Sequence, residues 1–338
     1  MAGFLVRRLG QSVLVVLGVL VLVFALMQLT GDPAALMLPD NASPADVEFM
    51  RKKLGTDKPL HLQFIRFLFG DRVLGERVEE RVVEHQFMSS VVAGRIREHR
   101  GVIMGDFGDS VRFVDQPALP IVLERFPLTL YLMAVAFAYS AGLSLVLGIA
   151  SAVYRNSLLD QLLRALAIIG QSVPNFWLGL MLILVFAVWL GLLPAMGSGS
   201  FEHVILPAIT LGSAPLGRNV RLVRSCMLDV LGADYIRTAR AKGLSELAVV
   251  VGHALKNAAI PVVTVWGLDI GLFFGGAVIT ESIFGWPGMG SLIIQSVYKR
   301  DFPVVQAAVF FVALVFVLVN LLVDLLYAWL DPRVRLAH

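Results

Sequence analysis

Charge is scarce in this chain. Asp, Glu, Lys and Arg make up 16% of its 338 residues, against roughly 25% in ordinary soluble domains. A water-soluble fold of this length would need more polar surface, so much of the apolar surplus must face lipid or other helices. The single cysteine, Cys226, excludes a disulfide within the chain. Beside Arg221 and Arg224 it reads as a small apolar packing residue. Histidine is also rare, with six residues scattered over the polar segments. The sequence has no His-Glu-x-x-His, no Gly-x-Ser-x-Gly and no Gly-x-x-x-x-Gly-Lys-[Ser/Thr]. These absences argue against an enzyme, so neither ATP hydrolysis, a cofactor nor a metal is expected on this chain.

What the chain has instead is long apolar runs. Hydrophobic residues reach 57% and mean hydropathy is +0.79. Crossing the hydrocarbon layer takes ~20 mostly apolar residues. Leu9 to Leu29 qualifies first, behind Arg7 and Arg8. It exceeds the roughly 7–15 residues of a signal-peptide core and reads as an uncleaved anchor. Leu128 to Tyr154 follows, then Leu163 to Leu190 interrupted by Pro174, and Val204 to Val223 with Pro207 and Pro215, the weakest of the set. Ile260 to Ile279 and Val304 to Leu330 complete it. The expectation is an all-α integral membrane protein with about six crossings.

Basic residues orient those crossings. With the N-terminus inside, thirteen lysines and arginines fall in cytoplasmic tails and short loops, and only Lys299 and Arg300 in short external ones. Both termini are therefore expected in the cytoplasm. The net charge of +3 reflects this topology, so no nucleic-acid partner is implied. The resulting division is an anchor helix over 1–30, an external cap over 31–126, a five-helix core over 127–330 and a cytoplasmic tail over 331–338. The core would carry a cytoplasmic loop at 225–256. From Gly31 to Arg125 the chain holds 15 of its 25 acidic and 13 of its 28 basic residues. Within it, Asp71 to Arg100 alternates charge with apolar residues, as an amphipathic helix on a soluble cap would. The sequon Asn41-Ala42-Ser43 reads as chance.

The most informative polar segment runs from Asp234 to Leu244. Asp234 can N-cap a short helix, and Gly243 can end it in the left-handed conformation. Thr238, Ala239 and Ala241 are small enough for close approach to a groove. Arg237, Arg240 and Lys242 add charge that would orient the helix on an acidic partner. The plainer reading is a solvated basic loop obeying the positive-inside bias.

Arg237 to Gly243, followed by His253-Ala254-Leu255-Lys256-Asn257-Ala258, resembles the EAA loop of ABC importer permeases. The form Asp-Tyr-Ile-Arg-Thr-Ala-Arg-Ala-Lys-Gly-Leu, with Tyr235 in second place, is similar to the dipeptide, oligopeptide and nickel branch. Arg237 and Thr238 replace the usual Glu and Ala, and Lys256 the usual later proline, as is habitual in that branch. Gly31-Asp32-Pro33, Leu54 to Leu60, Gly105 to Ser110, Ser172 to Gly179, Phe284 to Gly290, Arg300 to Gln306 and Asp331 to Arg335 agree with it. Gly70 to Arg100 looks like an insertion. The resemblance implies a type I importer-like permease fold in a bacterial inner membrane. It implies a second permease subunit and an external solute-binding protein as partners. Two cytoplasmic ATPase subunits or domains would hold ATP and magnesium. Residues 234–243 would be the coupling helix, and short peptides or related solutes the cargo.

Candidate pathway residues are fewer. Gly267, Gly271 and Gly275 recur every four residues, a ridge suited to close helix packing or to movement during gating. Asp269 lies on roughly the opposite face, and an ionisable group in a spanning segment is either functional or paired with a neighbouring helix. Asn320 and Asp324 share one face of the last segment and read as structural. A secondary transporter or channel would need more such groups, and a membrane enzyme a nucleophile or metal set.

Overall fold

The computed structural model describes residues 2–29, 34–35, 43–71, 99–110, 112–113 and 116–330. The Gly31-Asp32-Pro33 stretch, the sequon, most of the expected amphipathic helix and the 331–338 tail lie outside the described residues. So does the side chain of Asp324.

Among the described residues the chain is helical, with one isolated β-bridge between Asp109 and Pro117. Four helices are long and apolar enough to cross a membrane: Arg7–Ala25, Ala118–Val153, Ala248–Ile283 and Phe302–Val323. A bent pair makes up to a fifth. Two compact units divide the chain.

One unit comprises Leu9–Pro127 and Leu292–Val315. It holds most of α1 (Ala2–Leu29), then α2 (Pro44–Leu54) and α3 (Leu60–Phe69). Ser43 and Asp46 form a reciprocal capping box at the start of α2. Phe24 of α1 packs edge-on against Phe64 of α3, at 5.2 Å between centroids, and Gln28 donates to Gln63 at 2.6 Å. The Arg66 guanidinium meets the Asp71 carboxylate at 2.5 Å, and Asp71 also accepts from the His99 amide at 3.0 Å. Two separate stretches singled out in the sequence meet here. Ser110 donates to the buried Asp301 at 2.5 Å, and Phe107 lies 5.5 Å from Phe310.

The other unit comprises Met1–Arg8, Leu128–Ser291 and Phe316–His338. Its helices are α4 (Ala118–Val153, from Leu128), α5 (Leu158–Ser172) and α6 (Asn175–Leu182, continued by a π-helical turn to Trp189). Next come α7 (Phe201–Leu231), α8 (Asp234–Ala241) and α9 (Leu255–Ile283, preceded by a π-helical turn from Ala248). The start of α10 (Met289–Tyr298) and the end of α11 (Phe302–Leu330) complete it.

Two of these helices differ in detail from the sequence reading. The interruption expected at Pro174 is present and is sharp: α5 and α6 meet at 103°. Pro174 excludes Val173 from helical torsions, and Val173 is accordingly extended with ψ 125°. Helix restarts at Asn175 with Pro174 as its N-cap, a position where the missing proline N–H breaks no intrahelical bond. The weakest candidate, Val204 to Val223, is in fact part of a continuous helix of 31 residues, about 46 Å long. It runs through Pro207 and Pro215 and is more polar than the other long helices. Enclosure explains this, since thirteen of its residues are buried. A helix covered by its neighbours need not be apolar all round. A Cβ on Gly212 would lie 2.9 Å from the Ala136 carbonyl of α4, so this contact needs glycine.

Candidate functional site

The short helix α8 hangs from the ends of longer ones. Ile236 and Ala239, three residues apart, both point inward. They join a buried cluster with Ala152 of α4, Val223 and Met227 of α7, Val249, Val250 and Ala254 of the π-helical turn, and Ala258 of α9. Ala239, expected to approach a partner's groove, is instead buried against the permease, and the sequence reading missed Ile236 altogether. The signal available was its spacing from Ala239 in an otherwise polar octapeptide.

Every other residue from Asp234 to Gly243 is exposed. Asp234 does not cap the helix as expected. Ala233 occupies the cap position, and Asp234 is the first helical residue, its backbone carbonyl accepting from Thr238 Oγ1 at 3.1 Å. A carboxylate there still favours the positive helix N-terminus. Gly243 ends the helix at φ +79°, as expected of a left-handed terminator. Tyr235 Oη accepts from Asn257 Nδ2 at 2.9 Å. Arg240 donates twice to Glu246, at 3.1 and 2.7 Å. That guanidinium holds the Glu246 carboxyl below its ordinary pKa. Arg237 makes only a loose 3.5 Å contact with Asp234. Alongside this basic face, Leu244, Leu247 and Val251 are exposed too. The result is a rigid knob with a charged face and an apolar rim, anchored on one side only.

A second fastening lies close by and was not foreseen. Asp160, fully buried at the start of α5, accepts from Arg224 of α7 through two bonds of 2.8 Å each. Ser151 of α4 donates to it at 2.6 Å and the Asn156 amide at 3.0 Å. Three helices are thereby tied one turn from the Val223 and Met227 pair that holds α8. Local sequence patterns do not reveal such a tie, since its partners lie 64 residues apart.

The glycine ridge on α9 divides. Cβ atoms on Gly267 and Gly271 would each come within 2.6 Å of α11, at Val323 and Phe316 respectively. Gly275 has nothing within 4 Å. Close packing therefore accounts for the first two and not for the third. Asp269 is buried and pairs with Arg218 of α7, while Asn219 Nδ2 donates to its other oxygen at 2.7 Å. Asn320 donates to its own helix at the Phe316 carbonyl, a structural role.

At the opposite end of α9 the Phe284 to Gly290 stretch is folded around a buried carboxylate. Glu281 accepts from Thr129 Oγ1 at 2.6 Å and from the Ser291 amide at 3.0 Å. Thr129 in turn accepts from the Met289 amide at 2.8 Å, and Trp286 Nε1 donates to the Leu128 carbonyl at 3.0 Å. Gly288 and Gly290 let the loop close on the Glu281 carboxylate.

Several apolar helices of spanning length, one enclosed polar helix and a knob anchored on one side make this a multi-pass membrane protein. The sequence comparisons agree. Residues 144–336 match the family described as binding-protein-dependent transport system inner membrane component, and residues 1–80 match its N-terminal counterpart. The chain is 40% identical over 336 residues to the glutathione transport system permease protein GsiC of Salmonella paratyphi A, covering 99% of both chains. It is 38% identical over 337 residues to the same protein of Escherichia coli K12, again covering 99% of both. Among solved structures, an inward-facing form of the MetNI methionine ABC transporter matches with a TM-score of 0.55 and 17% identity, covering 63% of this chain and 97% of that one. The chain belongs to the binding-protein-dependent transport family and is a permease subunit of an ABC importer of the peptide and oligopeptide branch.

Proposed function

We propose that this chain imports short peptides, glutathione among them, as one of two permease subunits in a bacterial inner membrane. Both termini and α8 lie in the cytoplasm. Two ATPase subunits or domains, holding ATP and magnesium, dock on α8, and an external solute-binding protein delivers cargo. The observation that carries this reading is the one-sided anchoring of α8. Ile236 and Ala239 fix it to the permease while Arg237, Thr238, Ala241, Lys242 and Gly243 stand free to enter a groove. Closure of the ATPases on ATP would push α8, and its buried cluster would pass the displacement to α4, α7 and α9. The helices would then redistribute between inward and outward openings, driven by a ligand bound to a partner. Gly267, Asp269, Gly271 and Gly275 sit on the helix that would move. Glutathione enters the reading through the GsiC relatives, and dipeptides or chelated nickel through the branch resemblance.

The test is to purify the tagged chain from its own membranes in mild detergent and to photolabel with an azido-ATP. The reading expects a nucleotide-labelled polypeptide that co-purifies and hydrolyses ATP, with no label on this chain. Label on this chain, or no co-purifying ATPase, would refute it.

A further inference from the structure

One strip of the otherwise enclosed α7 stays open and carries a charge imbalance, at two arginines that the charge count had placed in the cytoplasmic set. Arg218 and Arg221, three residues apart, occupy that strip. Facing them among the described groups are one carboxylate, Asp269, and one neutral amide, Gln171 of α5. Asp269 lies fourteen residues from either end of α9 and is 1% exposed, whereas the Arg218 side chain is 39% exposed. Asp269 and Asn219 thus hold the Arg218 guanidinium from behind and leave part of it open. Arg221 is bonded through Nη2 to Gln171 Oε1, which cannot neutralise it. Two polar atoms of this patch are enclosed without a partner among the described residues: Arg218 Nε and Asn219 Oδ1. The balance of this patch is one positive charge in excess, with polar capacity unused.

Such a face cannot lie against lipid, where an uncompensated guanidinium is costly. It needs either water and a passing anion or a cover. We propose that Arg218 and Arg221 form a carboxylate-binding step on the wall of the translocation path. It takes a free carboxylate of the cargo, with Asp269 and Asn219 as positioning residues that aim Arg218. A guanidinium fork matches a planar carboxylate through paired donors. Asp269 keeps the step from binding too tightly to release, because it already offsets one of the two positive charges. The inference rests on the peptide-import reading and adds to it the chemical group that the path recognises.

The complete transporter, with both permease subunits, its ATPases and its binding protein, is reconstituted in liposomes. Uptake of glutathione and of a dipeptide mixture with free C-termini is measured per ATP hydrolysed. The proposal expects R218Q/R221Q to lower this ratio roughly tenfold or more, the scale of losing charge-assisted bonds. R218L/D269L, which removes the buried charge pair without leaving an orphan, should be equally impaired. Wild-type ratios in R218Q/R221Q would overturn the proposal. So would recovery in R218L/D269L, which would make the pair purely structural. Dissociation of the two permease subunits by R218Q/R221Q on size-exclusion chromatography would also overturn it, since the face would then be a subunit interface. An unmodified transporter that hydrolyses ATP yet carries neither probe would instead refute the underlying import reading.

Discussion

Replacing Ile236 by alanine tests whether α8 works as a fixed lever. Ile236 is fully buried beneath α8, and no residue from Asp234 to Gly243 other than Ile236 and Ala239 is buried. Truncating a buried isoleucine to alanine costs about 2–4 kcal/mol, the transfer of its lost carbons plus the cavity left behind. A helix of eight residues has no stability of its own to absorb that loss. The cost should therefore fall on the docking of α8 rather than on the whole fold. Since each 1.4 kcal/mol is tenfold, amide exchange over 234–243 should accelerate roughly 30- to 800-fold. Hydrogen exchange of the assembled transporter in nanodiscs reads this directly, and uptake per ATP hydrolysed should fall with it. Arg237→Ala, on the exposed face, should change exchange less than about threefold, as expected of a solvent-screened pair. Unchanged exchange and uptake in I236A would refute the idea that this contact fixes the helix.

Gly243→Val should uncouple transport from hydrolysis while insertion stays normal, because a left-handed β-branched residue costs at least about 1–2 kcal/mol; undiminished uptake at normal permease levels would count against it. Gly271→Ala should lower thermal stability by about 1–3 kcal/mol by driving a Cβ into Phe316, whereas Gly275→Ala should stay within about 0.5 kcal/mol; equal effects in thermal unfolding would contradict the packing described for α9. Burial alone would raise the Asp106 pKa, but hydrogen bonding to His99 and to the Arg100 and Gly108 amides outweighs it and holds the carboxyl well below its usual range. Its folded pKa is therefore depressed, so its stabilisation is complete above about pH 4 and fades as the pH falls through the lower folded value. Protection of the 99–110 amides relative to their intrinsic exchange rates should hold between about pH 5 and 7 and fall only in stronger acid, while Asp106→Asn should lower it at neutral pH; loss of wild-type protection near about pH 6 would exclude this role.

The legible part of the structure is the part that local pattern controls. Apolar runs placed α1, α4, α9 and α11, and an octapeptide ended by Gly243 placed α8 almost to the residue. The resemblance then gave the family. What escaped depends on neighbours distant in sequence. Pro174 announces an interruption, but the 103° between α5 and α6 cannot be read from that one residue. The long α7 looked weak because its charges and prolines were read against lipid, and it turned out to be enclosed by other helices. Arg218 with Asp269, Arg224 with Asp160 and Thr129 with Glu281 are separated by 51, 64 and 152 residues. Nothing periodic links such partners. A buried carboxylate declares that it needs a partner without saying which.

The central claim is that α8 stands on the cytoplasmic side with its free face in a separate ATPase. With Cys226 first replaced by serine, a cysteine at Arg237 can be probed from each side of sealed vesicles and cross-linked within the assembled transporter. The account predicts labelling by a membrane-impermeant maleimide only when the cytoplasmic face is outermost, and a disulfide to a cysteine in the ATPase groove that ATP analogues protect or enhance. Labelling from the external side, or full reactivity in the assembled transporter with no cross-link to any other polypeptide, would contradict it.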